Sequence, residues 1–206
     1  MFALKNRAVD RSGFSLLEML MVCAVIGIVA AMALPGIRDE VDHLRLGMAT
    51  RDVQSELQTA RLKAVSSNTY MRVRFNCPVA GQFRVVERIG TPYAADAGDD
   101  LDANAATRCN PTSYPFKATG SDTSRLTRPN NDGPLKYLTD PVTFSTATGL
   151  TSTASKVLEF WPDGSVHISG GPPWPKLGAA TTIVLVKGTA TQTITVTPLG
   201  NIQMQR

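Results

Sequence analysis

One stretch constrains this chain more than any other. From Phe14 to Ile37 it reads FSLLEMLMVCAVIGIVAAMALPGI, in which Glu18 is the only charged residue. As a helix, a run of that length reaches across a hydrocarbon core of about 30 Å. Apolar on every side, it has no polar face to offer water. The remainder of the 206 residues is rich in Thr, Ser, Gly, Asp and Pro, as suits a soluble body with many turns. The length leaves room for one medium domain beside the apolar segment. The chain is therefore expected to be bipartite.

The flanks of the run set its direction. Lys5, Arg7 and Arg11 precede it against a single acid, Asp10. Basic residues beside a span stay cytoplasmic, which puts the N-terminus inside and the C-terminal body across the membrane. The whole chain carries a formal charge of +4. Without Met1–Gly13 about +2 remains, too little to argue for a polyanionic partner. A secretory signal peptide is the competing reading, with cleavage after Ala33 in Ala31-Met32-Ala33. Against it, the run exceeds the usual signal core of about 7–15 residues. It also carries an acid near its cytoplasmic end and passes Pro35 into further helical pattern.

That pattern is regular. Ile37, Val41, Leu44 and Met48 recur at helical spacing, and Leu46, Ala49, Val53, Leu57, Ala60 and Ala64 carry a similar stripe onward with a slight drift. Arg38, Asp39, Asp42, Arg45, Arg51, Asp52 and Glu56 fall mostly off these stripes. Arg61 and Lys63 occupy the last turns, where positive charge suits the helix dipole, and Asn68 is a stop signal. One helix over 14–68 would be about 80 Å long, apolar all round over 14–36 and amphipathic over 37–68. A kink is expected at Pro35-Gly36, because proline removes a backbone donor.

After Asn68 the period changes to that of strands. Residues 70–75 and 82–89 alternate, and further strands are expected over 142–145, 156–161, 165–169, 181–187 and 192–197. Trp161-Pro162-Asp163-Gly164 reads as a hairpin turn and Gly188-Thr189 separates the next pair. Residues 90–140 are the least regular and read as a long surface excursion. The expected fold is α+β: a long N-terminal helix packed on a C-terminal antiparallel β-sheet domain over 69–206.

Arg11-Ser12-Gly13-Phe14-Ser15-Leu16-Leu17-Glu18, with Pro35 further on, resembles the type IV prepilin motif. Beyond it, three features resemble the GspH/FimT family of minor pilins and pseudopilins. They are the helix end Leu57-Gln58-Thr59-Ala60-Arg61-Leu62-Lys63-Ala64-Val65-Ser66-Ser67-Asn68, the Phe160-Trp161-Pro162-Asp163-Gly164 turn and a final strand around Gly200. The resemblance implies a pilin-like fold and a leader, residues 1–13, removed by a prepilin peptidase after Gly13. It implies an N-methylated Phe14 as the new N-terminus, and Glu18 and Pro35 as assembly residues. The implied setting is the inner membrane, single pass, with a periplasmic body. The implied partners are the lipid bilayer, an inner-membrane assembly platform and other pilins or pseudopilins in a filament. In the family the new amine of an incoming subunit meets the glutamate of a neighbour, and pairing offsets the cost of burying each charge alone. An acid inside a span is a functional candidate on physical grounds as well. Type IV pilus and type II secretion system share this N-terminal chemistry.

Cys23 falls in the apolar run and reads as a small apolar filler. Cys77 and Cys109 fall in the part beyond the membrane, an oxidising space, where either a bridge or two free thiols fit; the bridge is preferred. Enzyme chemistry finds little support. His43 and His167 are the only histidines, in no metal-ligand spacing, and there is no CxxC, GxSxG elbow or Gly-rich phosphate loop. No cofactor or metal is expected. Asp96, Asp99, Asp100 and Asp102 read as a solvated acidic loop without the full EF-hand pattern, and Trp161 and Trp174 as packing or turn anchors. DNA binding is the alternative from another class. Some FimT-type relatives are associated with DNA uptake through a GRxR-type C-terminal motif, whereas this chain ends Gly200-Asn201-Ile202-Gln203-Met204-Gln205-Arg206. Asn201 and Gln203 stand where arginines would, and phosphate affinity scales with cationic contacts. Arg72, Arg74, Arg84 and Arg88, with Arg206, remain a candidate DNA patch against the plainer reading of a solvated sheet face. Nucleic acid is not the expected partner.

Overall fold

The computed structural model describes residues 13–96, 98–101, 104–116, 131–139, 142–145, 157–168 and 172–205, with backbone alone for 33–39 and 99. The chain divides into two compact units at Val41/Asp42. The first holds the start of helix α1, which as one element runs Leu16–Ser67. It ends where the sequence stops it. Asn68 takes the left-handed conformation (φ 52°), and Thr69 N–H closes the last turn onto Ala64 O at 3.1 Å.

In the second unit, Leu46, Ala49, Val53, Leu57, Ala60 and Ala64 form one buried stripe of α1. Val41, Leu44 and Met48 do not join it; they are exposed and form a separate apolar stripe. The drift seen in the sequence is thus a change of face. The buried stripe packs on two antiparallel sheets. The first, in the order β3-β2-β1-β5-β6, is built from β1 (Met71–Phe75), β2 (Gln82–Glu87), β3 (Lys136–Tyr137), β5 (Val157–Phe160) and β6 (Val166–Ile168). The second, in the order β4-β7-β8-β9, is built from β4 (Thr143–Phe144), β7 (Thr181–Lys187), β8 (Ala190–Val196) and β9 (Ile202–Gln205). Met71, Val73, Phe75, Phe83, Val85, Leu158 and Phe160 of the first sheet meet Phe144, Ile183, Leu185, Ile194 and Val196 of the second beneath the helix. Phe144 joins the sheets edge-on, with ring centroids 5.1 Å from Phe75 and 5.8 Å from Phe83.

Alternation explains the strands, since one face of each carries the apolar set. The Trp161–Gly164 turn forms as read, with Gly164 N–H donating to Trp161 O at 2.9 Å and Gly164 at φ 80°. The excursion departs from expectation. Its described part holds a 3-10 turn, Gly98–Asp100, and a short helix α2, Ala105–Cys109, and it folds back over the outer face of the first sheet. Both faces of β1 are consequently buried. The reason is charge on that outer face, described below.

The Cys77–Cys109 disulfide fastens the excursion to the strand end. Closing a loop of 32 residues removes denatured-state entropy worth about 3–4 kcal/mol. Cys109→Ser is therefore expected to lose about that much in urea unfolding. Wild type with reductant should fall equally, and an unchanged midpoint would count against the loop-closure account.

Candidate processing and assembly site

Gly13, Phe14 and Ser15 precede the helix. Ser15 opens it: its hydroxyl accepts from Leu17 N–H and its carbonyl from Met19 N–H, both at 3.2 Å. Glu18 therefore lies in the first turn, where the helix dipole favours an anion. A methyl group built on Gly13 would meet nothing within 4 Å. Every side chain from Phe14 to Met32 is exposed, Phe14 at 75% and Met32 at 80%. Apolar surface on that scale marks a site for a non-aqueous neighbour. Among the described residues no helix is long and apolar enough to cross a membrane. The expected span also draws on residues 33–37, whose side chains, with that of the assembly candidate Pro35, lie outside the described residues. The rest of the leader, residues 1–12, lies outside them too. Gly13, Phe14 and Glu18 are thus gathered within one turn of the helix start, while Cys23 is exposed on the same helix.

The candidate DNA patch is overturned. Arg72, Arg74, Arg84 and Arg88 are at most 5% exposed, and Arg206 lies outside the described residues. Arg72 and Arg74 share the outer face of β1, and the register sets Arg72 against Glu159 and Arg74 against Arg84. Buried cations need partners, and the excursion supplies them. Arg72 Nε donates to Glu159 at 2.6 Å, and its two terminal nitrogens clamp Asp96 at 3.0 and 2.7 Å. Arg88 lies 3.1 Å from Asp96 and 3.5 Å from Glu159. Arg74 donates to Asp100 O, and Arg84 to Gly133 O and Tyr114 O. Arg108, from α2, pairs with Asp132 through both terminal nitrogens and lies 3.3 Å from Asp100. Burial by itself would depress the Arg72 guanidinium. The Asp96 hydrogen bonds and the Glu159 charge outweigh burial and raise it. Arg108 is raised in the same way, against burial, by Asp132 and Asp100. Among the described residues Arg84 has no direct carboxylate bond, and burial holds it below its ordinary value.

The solvated acidic loop is corrected by the same facts. Asp100 is fully buried and Asp96 is ion-paired, whereas the Asp99 side chain and Asp102 lie outside the described residues. Trp174 lies over Arg72, 3.9 Å from guanidinium to ring, and Trp161 stacks on His167, so both tryptophans are packing anchors. His43 is exposed on α1. Among the described residues no group of three or more His, Cys, Asp or Glu could hold a metal ion.

Residues 10–34 match the model of the prokaryotic N-terminal methylation motif. The N-terminus of the chain carries that methylation motif. Comparison with curated protein sequences gives no match. Among solved structures, the type IV minor pilin FimU of Pseudomonas aeruginosa is similar at TM-score 0.45 and 14% identity, over 80% of this chain and 90% of that one. The minor pseudopilin EpsH from the type 2 secretion system of Vibrio cholerae is similar at TM-score 0.40 and 10% identity, over 78% and 96%.

The motif and its helix start were legible in the sequence, but the Arg108–Asp132 pair was not. The one available signal was two arginines on one face of β1 opposite another on β2, too much like charge to leave unpartnered. Arg108→Met removes the cation paired with the buried Asp132 carboxylate and is expected to cost about 3–5 kcal/mol. Arg108→Met with Asp132→Leu should recover part of that loss. Urea unfolding of the two variants checks it, and a double variant less stable than the single would contradict the pairing.

Proposed function

We propose that this chain is a minor pilin or pseudopilin, a structural filament subunit and not an enzyme. Prepilin peptidase cleaves after Gly13, Phe14 becomes the N-methylated terminus, and the apolar half of α1 holds the chain in the inner membrane until assembly. The platform then draws it into a filament with other pilins or pseudopilins, its sheet domain in the periplasm. The observation that carries this reading is the methylation motif leading directly into a helix that exposes apolar side chains from Phe14 to Met32. Such a surface is covered first by lipid and then by neighbouring helices. Glu18, one turn from the new amine, supplies the opposite charge for a neighbour.

The test is the N-terminus itself. Intact mass and N-terminal fragmentation of the membrane-purified chain should show N-methyl-phenylalanine at Phe14. A start downstream of Ala33 would remove the apolar half and with it this reading, leaving an ordinary exported β-rich protein.

A further inference from the structure

Asp96, the 3-10 turn Gly98–Asp100, helix α2 and Asp132-Gly133 form a cover over the outer face of the first sheet. The contacts that dock it on the strands are hydrogen bonds and ion pairs. Asp96 and Asp100 face Arg72, Asp100 accepts from Ile89 N–H at 2.5 Å, and Asp132 accepts from Glu87 N–H at 2.8 Å. Arg108 donates in turn to Glu87 O at 2.7 Å. The apolar content is small. Cys77, Ala105 and Cys109 make a buried cluster of their own, apart from the core beneath α1, and Tyr114 lies against the Arg108 guanidinium at 4.3 Å.

Relative magnitudes decide what holds such a cover down. A buried ion pair gains little beyond the hydration its members give up, and in an open cover those members regain it. Apolar burial scales with area, and three small side chains supply little. The remaining tie is covalent. Cys109, next to Arg108 at the end of α2, is bonded to Cys77 just beyond β1. We propose that this bond is a redox-set clasp on the cover. With the bond formed, the arginine face is closed. With two thiols in its place the cover opens while helix and sheets stay folded, and Arg72, Arg74, Arg84 and Arg88 face water beside Glu159.

Closing transfers two electrons and two protons from the Cys77 and Cys109 thiols to a disulfide-bearing oxidant, which leaves as a dithiol. The oxidant meets the thiols in the open form, because in the closed one both residues are buried, Cys77 at 4% and Cys109 at 0%. Burial likewise shields the finished bond from thiol attack. Closure is therefore set once, when the body meets an oxidising space. Loop closure of this size shifts the opening equilibrium by about 10²-fold. The clasp concerns the body alone and stands whether or not the chain is processed or enters a filament.

The test compares the full-length chain in detergent micelles with its Cys77→Ala/Cys109→Ala double variant. Phenylglyoxal labels accessible arginines, which peptide masses then locate, and Arg45 and Arg51, exposed on α1, serve as internal references. In the bridged wild type Arg72, Arg74, Arg84 and Arg88 should stay unlabelled. In the double variant they should label in step with Arg51, while hydrogen exchange shows the amides of Val53, Leu57, Ile194 and Val196 still protected. Sheet arginines that stay unlabelled without the bond overturn the proposal, since the ion pairs then hold the cover unaided. Core amides that lose protection together with the arginines overturn it as well, since the whole body has then opened. Wild type refolded in a dithiol reductant should behave as the double variant and become protected when oxidised glutathione replaces the reductant. Equal protection in both would contradict the clasp.

Discussion

Gly13→Val is expected to leave the chain as an uncleaved precursor in the membrane, with processing reduced to background. Among the described residues nothing explains a glycine at this position. It lies outside the helix, and an added side chain would meet no atom within 4 Å. The proposed processing gives it a use in an encounter with another molecule. A residue without a side chain lets an extended backbone enter a narrow cleft, and a β-branched valine both widens and stiffens that backbone. The variant should fold as wild type does, with an unchanged urea midpoint, because residue 13 is exposed and no part of the buried core. Immunoblots of membrane fractions, with intact masses, separate precursor from mature chain. Normal amounts of a product beginning at Phe14 would contradict the cleavage reading.

Glu18→Ala is expected to be processed normally and to enter filaments about 10²–10³-fold less. The helix itself loses little. An acid in the first turn contributes about 0.3–1 kcal/mol through the dipole, and alanine regains part of that by propensity. On the proposed assembly the loss arises between subunits, where removing one member of a buried ion pair costs about 3–5 kcal/mol, or roughly two to three decades in incorporation. Sheared filaments probed for this subunit against a major component give the ratio. Glu18→Ala chains present at the wild-type level would remove charge pairing from the assembly proposal. Failure of Gly13→Val to block cleavage would bear on processing alone, so the two results are separable.

The helix and most strands could be read from the chain because their signals are local. A residue three or four positions away decides whether Leu46, Ala49, Val53 and Leu57 share a face, and all four are buried together. Alternation does the same for Met71, Val73 and Phe75. The Cys77–Cys109 bridge was readable as one of two options, because only the approach of the chain segments in space distinguishes a bridge from two thiols. Strand β3, two residues long, and helix α2, five residues long, carry too little pattern to register.

The arginines mark the boundary between the two kinds of information. Their alternation identified a strand face correctly, and charge then suggested water or a polyanion beside it. Whether a charged face is wet depends on what folds over it. Arg72 meets Glu159 87 positions along the chain and Asp96 24 positions along. No periodicity links such residues. The sequence by itself determined the cleavable-looking N-terminus, the long helix and the apolar faces of the strands, since each rests on neighbours within a turn or a pleat. Only the tertiary structure decided that the basic face is an internal salt-bridged layer beneath the excursion. Burial is a property of distant segments meeting, and the Coulombic gain that holds them exists only once they have met.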